Sequence, residues 1–495
     1  MRVLQCSLEK IPAKERMSEG AFMSHDRLVP LIIAVALFME NMDSTIIATS
    51  LPAIAADIGA NPLALKLAVT SYLLSLAVFI PASGWTADRF GARTVFRAAI
   101  ATFVVGSIGC ALSSSLTEFV IARIVQGMGG AMMTPVGRLV LVRSIDKTKL
   151  VDAMAWVTMP ALIGPIIGPP VGGFITTYAS WHWIFIINVP IGLIGIVLAT
   201  RYIEDVRMEG LERFDLVGMI LAGAGVAGLA FGLSVAGLGL LPPILVAGLM
   251  AAGAIFMVAY VIHARGTPTP VLDFSLVRIP TFRANVVSGS LFRMGIGALA
   301  FLLPLMLQLG FNYTPLQSGL ITFTAAVGAF TMKAFAARII RRFGFRRLLI
   351  VNALLSAVFT GACGLFTPAT PFAVMIAVLL VGGFFRSLQF TATNTIAYAD
   401  VDARRMSRAT SLVSVAQQLS IAAGVAVGAL AVETAVHLKG TETITAEDFR
   451  PAFLLVGLIS ASSALFFWTL PPDAGAAMAN RTPIAAPDAS DQRIG

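Results

Sequence analysis

Long apolar runs recur along this chain with only short polar loops between them, and that recurrence constrains the fold most. The first extends from about Val29 to Ser50, followed by runs near residues 66–87, 94–113, 118–142 and 151–178. Further runs lie near 183–202, 215–236, 243–263, 284–308, 316–337, 347–366, 372–398, 407–432 and 451–470, about fourteen in all. As a helix, each is long enough to cross about 30 Å of hydrocarbon. Because backbone in lipid must satisfy its own hydrogen bonds, an all-α polytopic membrane protein is expected. With 57% hydrophobic and 12% charged residues over 495 positions, the chain lacks the polar surface of a soluble shell.

The net charge of +9 lies in the loops rather than in a nucleic-acid-binding face. One set of loops carries Arg89, Arg93 and Arg97, then Arg143, Lys147 and Lys149, then Arg201, Arg207 and Arg213, with later clusters at Arg265–Arg283, Arg338–Arg347 and Arg404–Arg408. The alternate set offers only Lys66, Lys439 and Arg450. The positive-inside rule makes the first set cytoplasmic and, with an even number of spans, both termini too. Trp181 and Trp183 then fall at the outer interface, and the longest outer loop covers Glu433 to Arg450. Residues 1–28 have no apolar core, so no cleavable signal is expected, and Met1, Met17 and Met23 are all candidate starts. The tail from 471 to 495 is rich in Ala, Pro and Asp and reads as disordered and cytoplasmic. Cys6, Cys110 and Cys363 are too few and scattered for a disulfide framework or a metal site, and no catalytic motif falls in the spans, so neither cofactor, metal nor enzymatic activity is expected.

Between the second and third runs, GWTADRFGAR at 84–93 returns charge just where a helix would re-enter water. Gly84 is expected to allow close helix contact and Gly91 a tight turn, while Asp88, Arg89 and Arg93 can form ion pairs to neighbouring helices as a latch. A degraded copy, RRFGFR at 341–346, places Arg341 opposite Asp88, and Gly344 follows Gly91 by 253 residues (344 − 91). A repeat of that length in an apolar chain points to two related halves, the usual construction of a secondary transporter.

Inside the spans, GPIIGPPVGG at 164–173 combines tight packing through glycine with prolines that break the helical hydrogen-bond ladder, so a kinked fifth span is expected. RIVQGMGGA at 123–131 puts Arg123 and Gln126 on one side of a glycine-faced fourth span. An arginine in hydrocarbon needs a partner or water, which makes Arg123 a functional candidate or one half of a structural ion pair.

GWTADRFGAR resembles motif A of the major facilitator superfamily, RIVQGMGGA its motif B, and GPIIGPPVGG the motif C associated with antiporters. MDSTIIATSLP at 42–52 and WHWIFIINVPIG at 181–192 are similar to signatures of the fourteen-span drug:proton antiporter group, in particular its multidrug-resistance protein D branch. The resemblance covers about residues 29–470 and implies two six-helix bundles, at 29–204 and 266–470, around a central cavity, with two inserted helices within 205–265. It further implies proton-driven alternating access and export of drugs or metabolites across a bacterial cytoplasmic (inner) membrane by a protein expected to be monomeric. Carried over, Asp88 and Arg93 form the cytoplasmic latch, Arg123 is the proton-linked arginine, and Gly164, Gly168, Pro169, Gly172 and Gly173 form the antiporter hinge. Ala92 stands where motif A is usually basic, and the second copy lacks the acid, so an asymmetric latch is expected.

Two acids, Glu40 and Asp43, fall well inside a span, three residues apart on nearly one helix face. A carboxylate facing Arg123 could exchange protons near neutral pH; a structural ion-paired Asp43 is the alternative, and the sequence does not assign the proton to either acid. The second half carries the opposite sign, with Arg293, Lys333 and Arg386 in its spans. Lys333 either snorkels to the interface or faces the cavity. With Gln126, Gln389, Asn394 and Gln417, these cations form the expected substrate cavity, one suited to anionic or zwitterionic solutes and metal chelates unless Glu40 or Asp43 pairs with them. A non-transporting receptor or scaffold on the same fold is the alternative class.

Overall fold

The computed structural model describes residues 25–145, 150–204, 207, 214–402, 405–440, 443–476 and 478. No strand occurs among them. The long helices are α1 (His25–Ile46), α2 (Lys66–Phe79), α3 (Ala92–Leu112), α4 (Leu116–Ser144), α5 (Leu150–Tyr178), α6 (Asn188–Tyr202), α7 (Leu216–Val235) and α8 (Pro243–Gly266). They continue with α9 (Gly289–Leu305), α10 (Pro315–Lys333), α11 (Phe345–Ala362), α12 (Phe372–Ile396), α13 (Met406–Lys439) and α14 (Phe449–Phe467). Among the described residues, twelve helical stretches are long and apolar enough to cross a membrane. The pair Pro315–Lys333 and Ala336–Phe343, bent by 63°, brings the count to thirteen, against the fourteen or so expected. The long helix outside that count is α5, which carries four prolines over 29 residues and runs without a break.

Local chemistry fixes several ends. At the start of α4, Ser115 accepts the amide hydrogen bond of Glu118, whose carboxylate reaches back to the Ser114 amide. Thr314 and Gln317 form a capping box at α10, with Pro315 at the first helical position. Gly91 and Gly344 end eight-residue helices, Ser83–Phe90 and Ala336–Phe343, with φ of 95° and 72°. Both turns use the left-handed region that favours glycine, as the repeat leads one to expect.

Helices α1 to α6 pack as one bundle, with α1 against α5, α3 against α4, and α6 against α1 and α3. The second bundle pairs α9 with α13 and α14, α10 with α12, and α11 with α12 and α14. The bundles meet along α2 with α13 and α5 with α10. Inserted helix α7 pairs with α8 and lies against both α2 and α13. Small residues let α7 and α8 approach: a Cβ on Gly253 would stand 2.6 Å from the Leu229 amide nitrogen. Large apolar side chains such as Leu112, Ile244 and Val358 are exposed on the outside, as a lipid-facing surface requires.

One sequence expectation about loops is corrected, and the two tryptophans next to α6 divide between interior and surface. Trp181 is buried, donates to Asp57 at 3.0 Å and packs edge-on against Phe119, whereas Trp183 is exposed. The loop expected from Glu433 is shorter, because α13 continues to Lys439 and carries Glu433 into the protein interior. Glu433 is thus a buried helix residue rather than part of a solvated loop. In the connector before α9, Asp273 accepts hydrogen bonds from Ser275 and Arg405. Burial opposes its charge, but those bonds outweigh it and hold the carboxyl below its ordinary range.

Candidate functional site

Five helices of the first bundle converge on Asp43. Its Oδ2 accepts from Arg123 at 2.7 Å, and its Oδ1 from Gln126 at 2.8 Å and Asn188 at 3.0 Å. Arg123 also donates to Gln126 Oε1 at 2.5 Å, and its guanidinium lies 4.2 Å from the Tyr72 ring centroid. Ser107 of α3 closes the network, accepting from Gln126 at 2.8 Å and from Asn188 at 3.2 Å. Asp43, Arg123, Gln126, Ser107 and Asn188 are all buried. A charge pair is tolerable in that setting because its remaining lone pairs and protons also find partners. Glycine makes the assembly possible: a Cβ on Gly106 would lie 2.5 Å from the Gln126 Cα, so only glycine lets α3 approach α4 at this level.

Glu40, less than one turn away, does not join this network. It is half-buried and accepts a single hydrogen bond, from Thr134 of α4 at 2.7 Å. The Tyr72 hydroxyl has no hydrogen-bond partner among the described residues. A Cβ on Gly130 would lie 3.1 Å from that hydroxyl and 3.7 Å from Glu40 Cγ. The Tyr72 ring thus lies under Arg123, and its hydroxyl shares the surroundings of Gly130 with Glu40.

The glycines of α5 expected to form a hinge face two ways. Gly164, Gly168 and Gly172 press on α1, where their added Cβ atoms would meet Phe38 O, Thr45 Oγ1 and Ile46 O. Gly173 faces Pro315 of α10, and Gly319 of α10 faces Pro169, so the same segment seams the two bundles.

At the arginine-rich end, Asp88 pairs with Arg143 at the end of α4. Arg93 donates instead to the Ile203 carbonyl at 3.4 Å, and Arg89 is exposed. Gly84 departs from expectation: it is exposed, and a Cβ there would meet nothing within 4 Å, so no close helix contact depends on it.

The candidate cavity residues divide. Gln126 belongs to the Asp43 network, and Gln389 is buried between α12 and α11, accepting from Asn352 at 2.9 Å and donating to Leu349 O at 3.1 Å. Arg293 is enclosed, donating to Asn394 Oδ1 at 2.7 Å and Asn285 O at 3.2 Å, with Nε left without a partner. Arg386 is buried against Phe359, and one of its terminal nitrogens likewise has no partner. Lys333 is exposed at the bend after α10 and donates to Thr391 at 3.1 Å. Gln417 is half-buried on α13. Among the described residues, Arg293, Arg386 and Lys333 have no carboxylate partner, since Glu40 faces Thr134 and Asp43 faces Arg123. The 253-residue offset between the two turns also relates Glu40 to Arg293 (293 − 40), so the halves place opposite charges at corresponding positions.

The description "Major Facilitator Superfamily" matches residues 33–213 and 286–488. The chain belongs to the major facilitator superfamily. It is 39% identical over 448 residues to the "Putative multidrug resistance protein MdtD" of Yersinia pestis (strain Pestoides F), covering 90% of this chain and 96% of the relative. The protein of the same name from Yersinia pseudotuberculosis serotype O:1b (strain IP 31758) matches with the same figures. Among solved structures, a D-xylose-proton symporter shares the fold with a TM-score of 0.64 at 17% identity, covering 91% of this chain and 99% of that one. The human organic anion transporter MFSD10 (TETRAN) does so with a TM-score of 0.58 at 14% identity, covering 90% and 100%.

Sequence reasoning missed Tyr72, Ser107, Thr134 and Asn188 as parts of this major facilitator site. Asn188 lay within the quoted WHWIFIINVPIG stretch, a polar residue in an apolar run, and that was its signal. Ser107 and Thr134 carried none, because a hydroxyl in a membrane helix usually bonds its own backbone.

Proposed function

We propose that this protein is a proton-coupled exporter of small organic molecules, acting as a monomer by alternating access in the bacterial cytoplasmic membrane. Its arginine-rich loops and both termini face the cytoplasm, as the positive-inside rule supports. The observation that carries the reading is the division of labour on α1: Asp43 is fixed by Arg123, Gln126 and Asn188, while half-buried Glu40 has one hydroxyl partner. Glu40 can exchange a proton without dismantling the Arg123 network, and Tyr72, under Arg123 and near Gly130 beside Glu40, is placed to sense a change in its charge. Loss or gain of that charge biases two arrangements of the bundles, with glycine-rich α5 as the seam. Similarity to relatives named for multidrug resistance supports drug or metabolite efflux.

A second reading concerns substrate charge. Arg293 and Arg386 are buried without a carboxylate, which favours anionic or zwitterionic solutes over cationic drugs. Reconstitution into liposomes containing a pH-sensitive dye tests both readings. Adding a transported solute moves protons in the opposite direction, and anionic solutes do so more strongly than cationic dyes. A solute that crosses without proton movement contradicts antiport, and a stronger response to cations contradicts the anionic preference.

A further inference from the structure

At the end opposite the arginine-rich loops, Lys66 at the start of α2 pairs with Glu433 near the end of α13, with Nζ 2.9 Å from Oε1 and 3.0 Å from Oε2. Both side chains are buried, at 0% and 7% exposure. The same ammonium donates to the Ala236 carbonyl at 3.2 Å, in the cap that ends α7. One cation therefore holds the first bundle, the second bundle and the inserted helix pair. The next residue, Gly237, has a φ of 84°, and a Cβ there would stand 2.5 Å from Glu433 Oε2. Only glycine lets that turn close over the carboxylate. Two neutral bonds join the bundles at this same end: Gln308 donates to Thr49 O at 2.9 Å, and the Leu316 amide to Thr177 Oγ1 at 3.2 Å.

A buried ion pair contributes little net stability, because desolvation offsets most of the attraction, so its value lies in selecting one arrangement. An apolar contact in this place would lose its burial on opening with nothing gained. Separated charges regain hydration, which keeps the closed and open arrangements close in free energy.

We infer that Lys66 and Glu433, with the Ala236–Gly237 turn, form a three-way latch that closes this end of the transport path and couples the inserted helices to its opening. They are positioning residues for the transport cycle. The inference rests on the alternating-access reading, but its test needs neither substrate nor proton gradient, so its failure is distinct from failure of that reading.

Spin labels at Thr117→Cys and Ala369→Cys, exposed positions at this end of the two bundles, report its width by pulsed electron resonance in lipid nanodiscs, with Cys6→Ser removing the cysteine outside the buried pair. Without further changes, one short distance dominates. Lys66→Gln and Glu433→Gln should each raise a longer-distance population on the order of tenfold. Lys66→Arg, which keeps the charge and the donors for both Glu433 and Ala236, should stay near the short distance. Gly237→Ala, at an exposed turn position, crowds the carboxylate while keeping both charges in the chain, and should widen the distribution in the same direction. Unchanged distances in Gly237→Ala and in both glutamine variants would overturn the latch, as would a Lys66→Arg variant as wide as Lys66→Gln.

Discussion

Glu40 and Asp43 lie three residues apart on α1, yet their carboxylates serve different partners: Asp43 takes the Arg123 guanidinium at 2.7 Å, and Glu40 takes the Thr134 hydroxyl, also at 2.7 Å. Helical spacing brings the two acids to one side, and the side chains then part toward different residues of α4. One acid is held by three side chains of the bundle and the other by a single hydroxyl.

Removal of Asp43 should therefore act on stability as well as transport. Asp43→Ala leaves Arg123 buried and unpaired, a loss of about 3–5 kcal/mol by analogy with broken buried pairs. The detergent-solubilised variant should unfold at a clearly lower temperature, whereas Glu40→Gln should unfold close to the unmodified protein. Equal melting of all three would refute the structural role of Asp43.

The glycines separate cleanly by environment. Gly168→Val would drive its side chain into Thr45 on α1 and should sharply reduce the yield of folded protein in the membrane. Gly84→Ala, with open space around it, should stay within about 0.5 kcal/mol of the parent. Thermal stability of the two purified variants checks the contrast, and a Gly84→Ala variant as damaged as Gly168→Val would contradict it.

Asp88→Asn and Arg143→Gln remove the same half-buried pair and should give the same phenotype. An exposed or partly exposed pair contributes at most about 1 kcal/mol to stability, so both variants should reach the membrane folded. Slower exchange of labelled substrate in both is expected. A slow Asp88→Asn beside a normal Arg143→Gln would assign the effect to another partner of Asp88.

The connector before α9 should respond to acid. The carboxyl of Asp273 is held below its ordinary range, so its contribution is present at neutral pH and above the unfolded value, and is lost as pH falls through the folded one. Asp273→Asn mimics the acid state at neutral pH and should speed tryptic cleavage after exposed Arg278 several-fold. Unchanged cleavage would mean that the Arg405 and Ser275 contacts do not hold the connector.

The helical architecture was legible because hydrocarbon thickness and helix rise dictate run length, and the arginine-bearing turns repeat with their glycines at Gly91 and Gly344. Asp43 and Arg123 were legible as charges that hydrocarbon would not tolerate alone. What escaped were relationships set by side-chain direction. Glu40 turns away from Arg123, Gln389 turns into α11, and Trp181 turns inward to Asp57, none of which follows from position along a helix. Lys66 and Glu433 escaped because each lies at the margin of an apolar run, where a charge ordinarily reads as a loop residue. Only tertiary packing buries the two together.

Export driven by a pH gradient tests the central claim most directly. Proteoliposomes bearing the unmodified protein or Glu40→Gln are given an imposed pH gradient, and uphill accumulation of labelled substrate is measured beside substrate counterflow without a gradient. The unmodified protein should concentrate substrate, while Glu40→Gln should lose that ability and retain counterflow, because exchange of substrate for substrate needs no net proton release. A Glu40→Gln protein that still concentrates substrate against its gradient would contradict the account.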